Sequence, residues 1–180
     1  MEEIEMKKMM AVLVALILTL GLTAALAEET PFTIRNNVTF GMNMDDVIAS
    51  EPVRYHEIDN EHTHGGVTFA ELEYKHVTEN NVPVEIKYLF VGNELVAVRF
   101  NYEARDIGYE QLKADLAAKF GPFSALDPAA LGRGIYAVDD DGRPEFGAES
   151  AVQGNVAVVL ELDEDDIDVT FVDLAAGYIG

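Results

Sequence analysis

The spacing of apolar residues changes character several times along the chain. Met9 to Leu20 is a continuous apolar run. Thr33 to Phe40 follows as an extended segment with Ile34, Val38 and Phe40 apolar, ended by Gly41-Met42. Asn43 then supplies an N-cap, Asp45 and Asp46 suit the positive end of a helix dipole, and Met44, Val47 and Ile48 give a short helix one apolar face. Glu51-Pro52 stops it, because the residue before proline avoids the helical region.

From Val53 the period becomes two. Leu72 and Tyr74 share one face of an alternating stretch from Val67 to His76, and Val82, Val84, Ile86, Tyr88 and Phe90 form a second such face. Gly92-Asn93 reads as a turn, after which Val96, Val98, Phe100 and Tyr102 resume the alternation. A second cycle begins with Tyr109, Leu112, Leu116 and Phe120 at helical spacing, closed by Gly121-Pro122. Phe123 to Gly132 reads as an irregular connection. Strands are predicted at Gly134–Val138, weakly near Pro144–Ala148, at Val156–Leu162 and around Ile167, Val169 and Phe171. The pattern predicts an α+β fold of two tandem helix-plus-antiparallel-β-meander units, residues 28–104 and 105–180, sharing one sheet packed by helices on one face.

Residues 1–27 fit an export signal. Lys7 and Lys8 are a basic patch, Gly21 breaks the apolar run, and Ala25-Leu26-Ala27 supplies small residues at the cleavage-recognition positions. Glu2, Glu3 and Glu5 are unusual before such a patch, and a start at Met6 gives a cleaner signal. The alternative is an uncleaved anchor, since Met9 to Ala27 is long enough to span a bilayer. Cleavage after Ala27 leaves 153 residues free of the membrane, in the periplasmic, cell-wall or extracellular space. The chain has no cysteine, which excludes disulfides, thiol catalysis, cysteine zinc sites and a lipid-modified cysteine. Thirty acidic and ten basic side chains remain after the leader, the basic ones scattered. That balance argues against binding nucleic acid or an anionic membrane, both of which need a positive face.

With that plan in place, F-G-M-N-M-D-D-V from Phe40 to Val47 resembles the Gly-Met/x-Thr-x-x-(Glu/Asp)-Val helix start of small bacterial envelope proteins. Those include the β-lactamase inhibitory protein family and the small outer-membrane lipoproteins that assist barrel assembly. Tyr88 to Leu95 is similar to their Y-x-F-x-x-(Gly/Asn)-x-L hairpin, and Leu112 to Pro122 to their helix ending in F/L-G-x-P, although here the proline follows the glycine directly. Asn43 stands where Thr or Ser is usual, the second half lacks the Gly-Met start, and there is neither a lipobox cysteine nor any disulfide. The resemblance implies a fold and the binding of other proteins across a sheet face, without implying a target or contact residues.

Three groups are candidates for chemistry. His62 and His64 in an extended segment point to one side, so that with Glu61 or Asp59 they could share a metal such as zinc; the plainer reading is a polar loop. Asp139-Asp140-Asp141-Gly142 and Asp163-Glu164-Asp165-Asp166 could offer oxygens to calcium, but fit no calcium-loop spacing and read equally as solvated turns. Tyr74, Tyr88, Phe90, Phe100 and Tyr102 are either core or an aromatic partner-binding face. No nucleophile elbow, phosphate loop or S-x-x-K motif is present, so no catalysis and no cofactor are expected. The expectation is an exported module binding another envelope or secreted protein, with a divalent-cation binder as the alternative.

Overall fold

The structure, a computed structural model, describes residues 32–64, 67–79, 81–126 and 148–176, with the backbone alone at 59–62, 64 and 67. The segment predicted as one extended stretch is a small hairpin, β1 (Thr33–Arg35) and β2 (Val38–Thr39). Asn36 and Asn37 both sit at positive φ between them, which asparagine tolerates better than most residues. Helix α1 (Met44–Ser50) begins as its sequence predicts, with the Asn43 side chain accepting from the Asp46 N–H at 2.9 Å. The loop before it is stitched to the sheet from both sides: Gly41 N–H donates to Leu95 O, and Leu95 N–H donates to Met42 O, each at 2.9 Å.

Eight strands then form one antiparallel sheet. They are β3 (Glu57–His64), β4 (Val67–Glu79), β5 (Val82–Val91), β6 (Glu94–Glu103), β7 (Ser124–Ala125), β8 (Glu149–Gln153), β9 (Val156–Asp163) and β10 (Asp166–Asp173). Helix α2 (Tyr109–Phe120) lies between β6 and β7 in the chain and ends at Gly121, whose φ of 91° a residue with a Cβ adopts only under strain. The strand order is β3-β4-β5-β6-β10-β9-β8-β7, so the last strand of each half meets the other in the middle. The fold is therefore mostly β, with two helices among the described residues.

Two corrections concern strands. The polar stretch read as a loop, His56 to Gly66, contains β3; an edge strand is paired on one side only and does not need clean apolar alternation. Strand β7 lies in the segment read as an irregular connection, and β8 begins just after the weak strand predicted near Pro144–Ala148, most of which, like the predicted Gly134–Val138, falls outside the described residues.

Register lines the two sheet faces with opposite chemistry. One row runs Leu72, Tyr88, Val98, Phe171, Val158, Ala151 across β4, β5, β6, β10, β9 and β8. With Val47 of α1 and Leu116 and Phe120 of α2 it belongs to the main core cluster. Each large apolar side chain so buried contributes about 1.5–3 kcal/mol. The adjacent row points the other way and reads Glu57, Glu73, Lys87, Arg99, Thr170, Val159, Ser150. Further along that second face a smaller cluster of Val91, Val96, Ala97, Ala157, Val159 and Val172 is buried, with Leu126, Ala148 and Leu174 packed against it.

Candidate binding face

The accessible part of the second face is a connected chain of charge. Tyr55 Oη donates to Glu57 Oε1 at 2.9 Å, and Lys75 Nζ lies 2.7 Å from Glu57 Oε2 and 3.0 Å from Glu73 Oε2. Lys87 Nζ then lies 3.0 Å from Glu73 Oε1 and 3.1 Å from Glu85 Oε1. Two strands on, Asn101 donates to Asp168 at 2.9 Å, with Arg99 3.9 Å from the same carboxylate. The β ladder makes this possible, because alternate residues of neighbouring strands share a face about 5 Å apart.

The electrostatics follow from the spacing. Burial works against ionisation of Glu73, but the ammoniums of Lys75 and Lys87 outweigh it and hold its carboxyl down at about 2. Hydrogen bonds from Lys75 and then Tyr55 lower Glu57, and Glu57 followed by Glu73 raises Lys75. Burial and the neighbouring Glu73 push Glu85 the other way, upward. At neutral pH Glu73 is a fixed anion between two fixed cations. A row locked in this way would lose little side-chain entropy on being covered. Tyr55, 65% exposed, stands at its end as a large amphipathic anchor of the kind that concentrates interface energy.

The aromatic group has a different place. Tyr74, Tyr88, Phe90 and Phe100 are buried and Tyr102 is half-buried, all in the main core cluster. As a partner-binding face Tyr74, Tyr88, Phe90 and Phe100 are corrected: their strand parity puts them in the main core cluster with Val47, Leu116 and Phe120, and they have no exposed surface to offer. Beneath them lies a buried polar cluster that sequence reading missed. Tyr88 Oη donates to Glu51 Oε1, Asn36 Nδ2 donates to Glu51 Oε2 at 3.2 Å, and Arg35 sits with Nε 3.3 Å from Glu51 and Nη1 2.9 Å from Glu79. Those Arg35 contacts are ion pairs rather than aligned hydrogen bonds. Burial first, and the Glu51 charge second, push the Tyr74 phenol up to about 12; burial, and then its hydrogen bond to Glu51, raise Tyr88 as well.

The suggested metal ligands all fall on β3. Asp59 pairs with Glu71, His62 with Phe69 and His64 with Val67, and Glu61 lies at the bulge between Asp59 and His62. The side chains of these four lie outside those described, as does the whole Asp139–Gly142 turn. Asp163 to Asp166 is an exposed turn between β9 and β10. Among the described residues no group of three or more His, Asp or Glu is arranged to hold a metal ion. The F-G-M-N stretch lines an open groove with Gly92, Asn93 and Glu94, but its Asn43 and Asp46 side chains are engaged with each other at 2.8 Å.

Charge periodicity was the available signal for the face: Glu71, Glu73 and Lys75, then Glu85 and Lys87, occupy the positions that alternate with the apolar set. No protein-family model, curated protein or solved structure matches this chain.

Proposed function

We propose that the chain is an exported, non-catalytic module that binds another envelope or secreted protein through the charged face of its sheet. The observation that carries this reading is the ordered row of Tyr55, Glu57, Lys75, Glu73 and Lys87, set on rigid strands opposite a packed core. Three of the basic residues in this acidic chain, Lys75, Lys87 and Arg99, sit on this one surface, each beside an acid.

The architecture supports the reading of two tandem α+β units, residues 28–104 and 105–180, each with a helix before its last strands and joined through β6 and β10. The basic patch, apolar run and Ala25-Leu26-Ala27 support export. No helix among the described residues is long and apolar enough to cross a membrane.

Site-specific photocrosslinking tests the proposal. A crosslinker at Arg99, on the charged face, is expected to trap one defined adduct in intact cells, lost when Lys75→Glu and Lys87→Glu are combined. The same group at Ala118, on the exposed side of α2, is expected to trap none. Equal labelling from both positions, or recovery of the unprocessed chain from cytosol, overturns the proposal.

A further inference from the structure

The sheet closes on one side with the two-residue β7, but on the other it ends at the eight-residue β3, and among the described residues nothing pairs with the outer edge of β3. On such an edge every second N–H and C=O faces outward, a template for one more strand. What this edge admits is restricted by charge. From Tyr55 to Tyr74, covering β3 and the part of β4 it pairs with, there are five acids, Glu57, Asp59, Glu61, Glu71 and Glu73, and no lysine or arginine; Lys75, the next residue, pairs with Glu57 and Glu73, which leaves the stretch net acidic. A second copy would set the same acids against themselves, and the bulge between Asp59 and His62 further disfavours two such strands in register. An extended cationic chain meets opposite charge instead.

Two apolar anchors flank the same edge. Tyr55 at 65% and Ile58 at 52% are the most exposed large hydrophobic side chains among the described residues. Tyr55 reaches Glu57 on the charged face, while Ile58, opposite Leu72, belongs to the other face. A strand laid along β3 would cover both with its alternating side chains.

We propose that β3 is a strand-addition site for an extended lysine- or arginine-rich segment of the partner protein. The inference rests on the binding-module reading and names the partner's chemistry.

The test uses the purified chain and three short synthetic peptides: alternating lysine–valine, the same peptide with prolines replacing two valines, and alternating glutamate–valine. The lysine–valine peptide is expected to bind about tenfold more tightly than the proline peptide and to slow amide exchange in β3, because proline keeps the charge but removes ladder donors. Combining Tyr55→Ser with Ile58→Thr is expected to weaken it by about tenfold. Equal affinity for the lysine and proline peptides overturns strand addition in favour of charge alone. Binding of the glutamate peptide, absence of binding, or β3 protection that rises with protein concentration without peptide overturns it as well. Any of these leaves the Arg99 crosslink standing, whereas loss of that crosslink with the peptide still bound removes the face-binding reading by itself.

Discussion

Tyr88 on β5 donates its phenolic hydrogen to the Glu51 carboxylate at the end of α1, with both side chains sealed from solvent. That one contact joins sheet, helix and hairpin, because Glu51 also accepts from Asn36 and faces the Arg35 guanidinium. Removing the carboxylate leaves Arg35 with Glu79 alone and strands a buried phenol. Glu51→Ala is therefore expected to cost about 3–5 kcal/mol, and Tyr88→Phe, which removes one donor to a charged group, about 1–3 kcal/mol. Urea unfolding of both single variants and the double measures this. Glu51→Ala within about 1 kcal/mol of the parent would show that the cluster holds nothing together.

The charged face carries its own pH dependence. Glu73 is held at about 2 against an ordinary value of 4.5, so its contribution is complete above pH 4.5 and is lost as pH falls from there toward 2. Its side chain is only 7% exposed, but the lysines on either side are about 40% exposed and screened, which leaves on the order of 1–2 kcal/mol. Glu85, raised by burial and by Glu73, has the opposite sign and offsets part of the loss. Urea midpoints between pH 6 and pH 3 should fall in the parent and fall less in Glu73→Gln. Equal slopes in the two proteins would remove Glu73 as the cause.

Helix α1 has only seven residues and depends on its cap. Asn43→Ala is expected to cost about 1 kcal/mol, and Asn43→Ser only a few tenths. Aspartate, ordinarily as good a cap as asparagine, should be worse than serine at this position. The Asn43 amide donates to the Asp46 carboxylate at 2.8 Å, and a second carboxylate would face it instead. Thermal unfolding of the three variants gives the order, and aspartate matching or exceeding serine would refute the argument.

Much of this fold is legible in the residue pattern, for reasons that stop at identifiable places. Both described helices were marked by caps and stops, at Asn43 and Glu51-Pro52 and at Gly121-Pro122. The inner rows of β4 and β5 were marked by alternation, as was that of β6 from Val98 on, whereas Val96, read on the same face, lies in the cluster on the other one because the bulge falls there. Strand β3 was not, because an edge strand with acids on it has the composition of a loop. Nor was the charged row, although its members alternate visibly along each strand. Counting back from the Gly92-Asn93 turn pairs Lys87 with Val98, and only the bulge at Leu89/Phe90 shifts it to Arg99. A one-residue bulge leaves no composition signal but decides which side chains meet across strands. The Arg35–Glu51–Tyr88 cluster was hidden for a related reason, since its members come from a hairpin, a helix end and a strand 37 residues beyond that helix end.

Phe100 and Phe171 meet edge to face across the β6–β10 seam, with ring centroids 5.7 Å apart. Phe171 also lies 5.8 Å from Phe32 and 5.7 Å from Phe120, so its ring collects the start of the described chain, the end of α2 and the centre of the sheet. Phe100 is buried and Phe171 half-buried, which places Phe100→Ala at about 3–5 kcal/mol and Phe171→Ala somewhat lower. The double variant should cost less than the sum of the two by about 0.5–1.5 kcal/mol, the aromatic pair energy beyond burial. Phe171→Leu keeps the burial and loses the ring geometry, so it should recover most of the stability but not the coupling to Phe100. Guanidinium unfolding of this set measures the cycle. Strict additivity would mean that the two halves of the sheet are held at the seam by backbone pairing and bulk apolar area, and not by the contact between these rings.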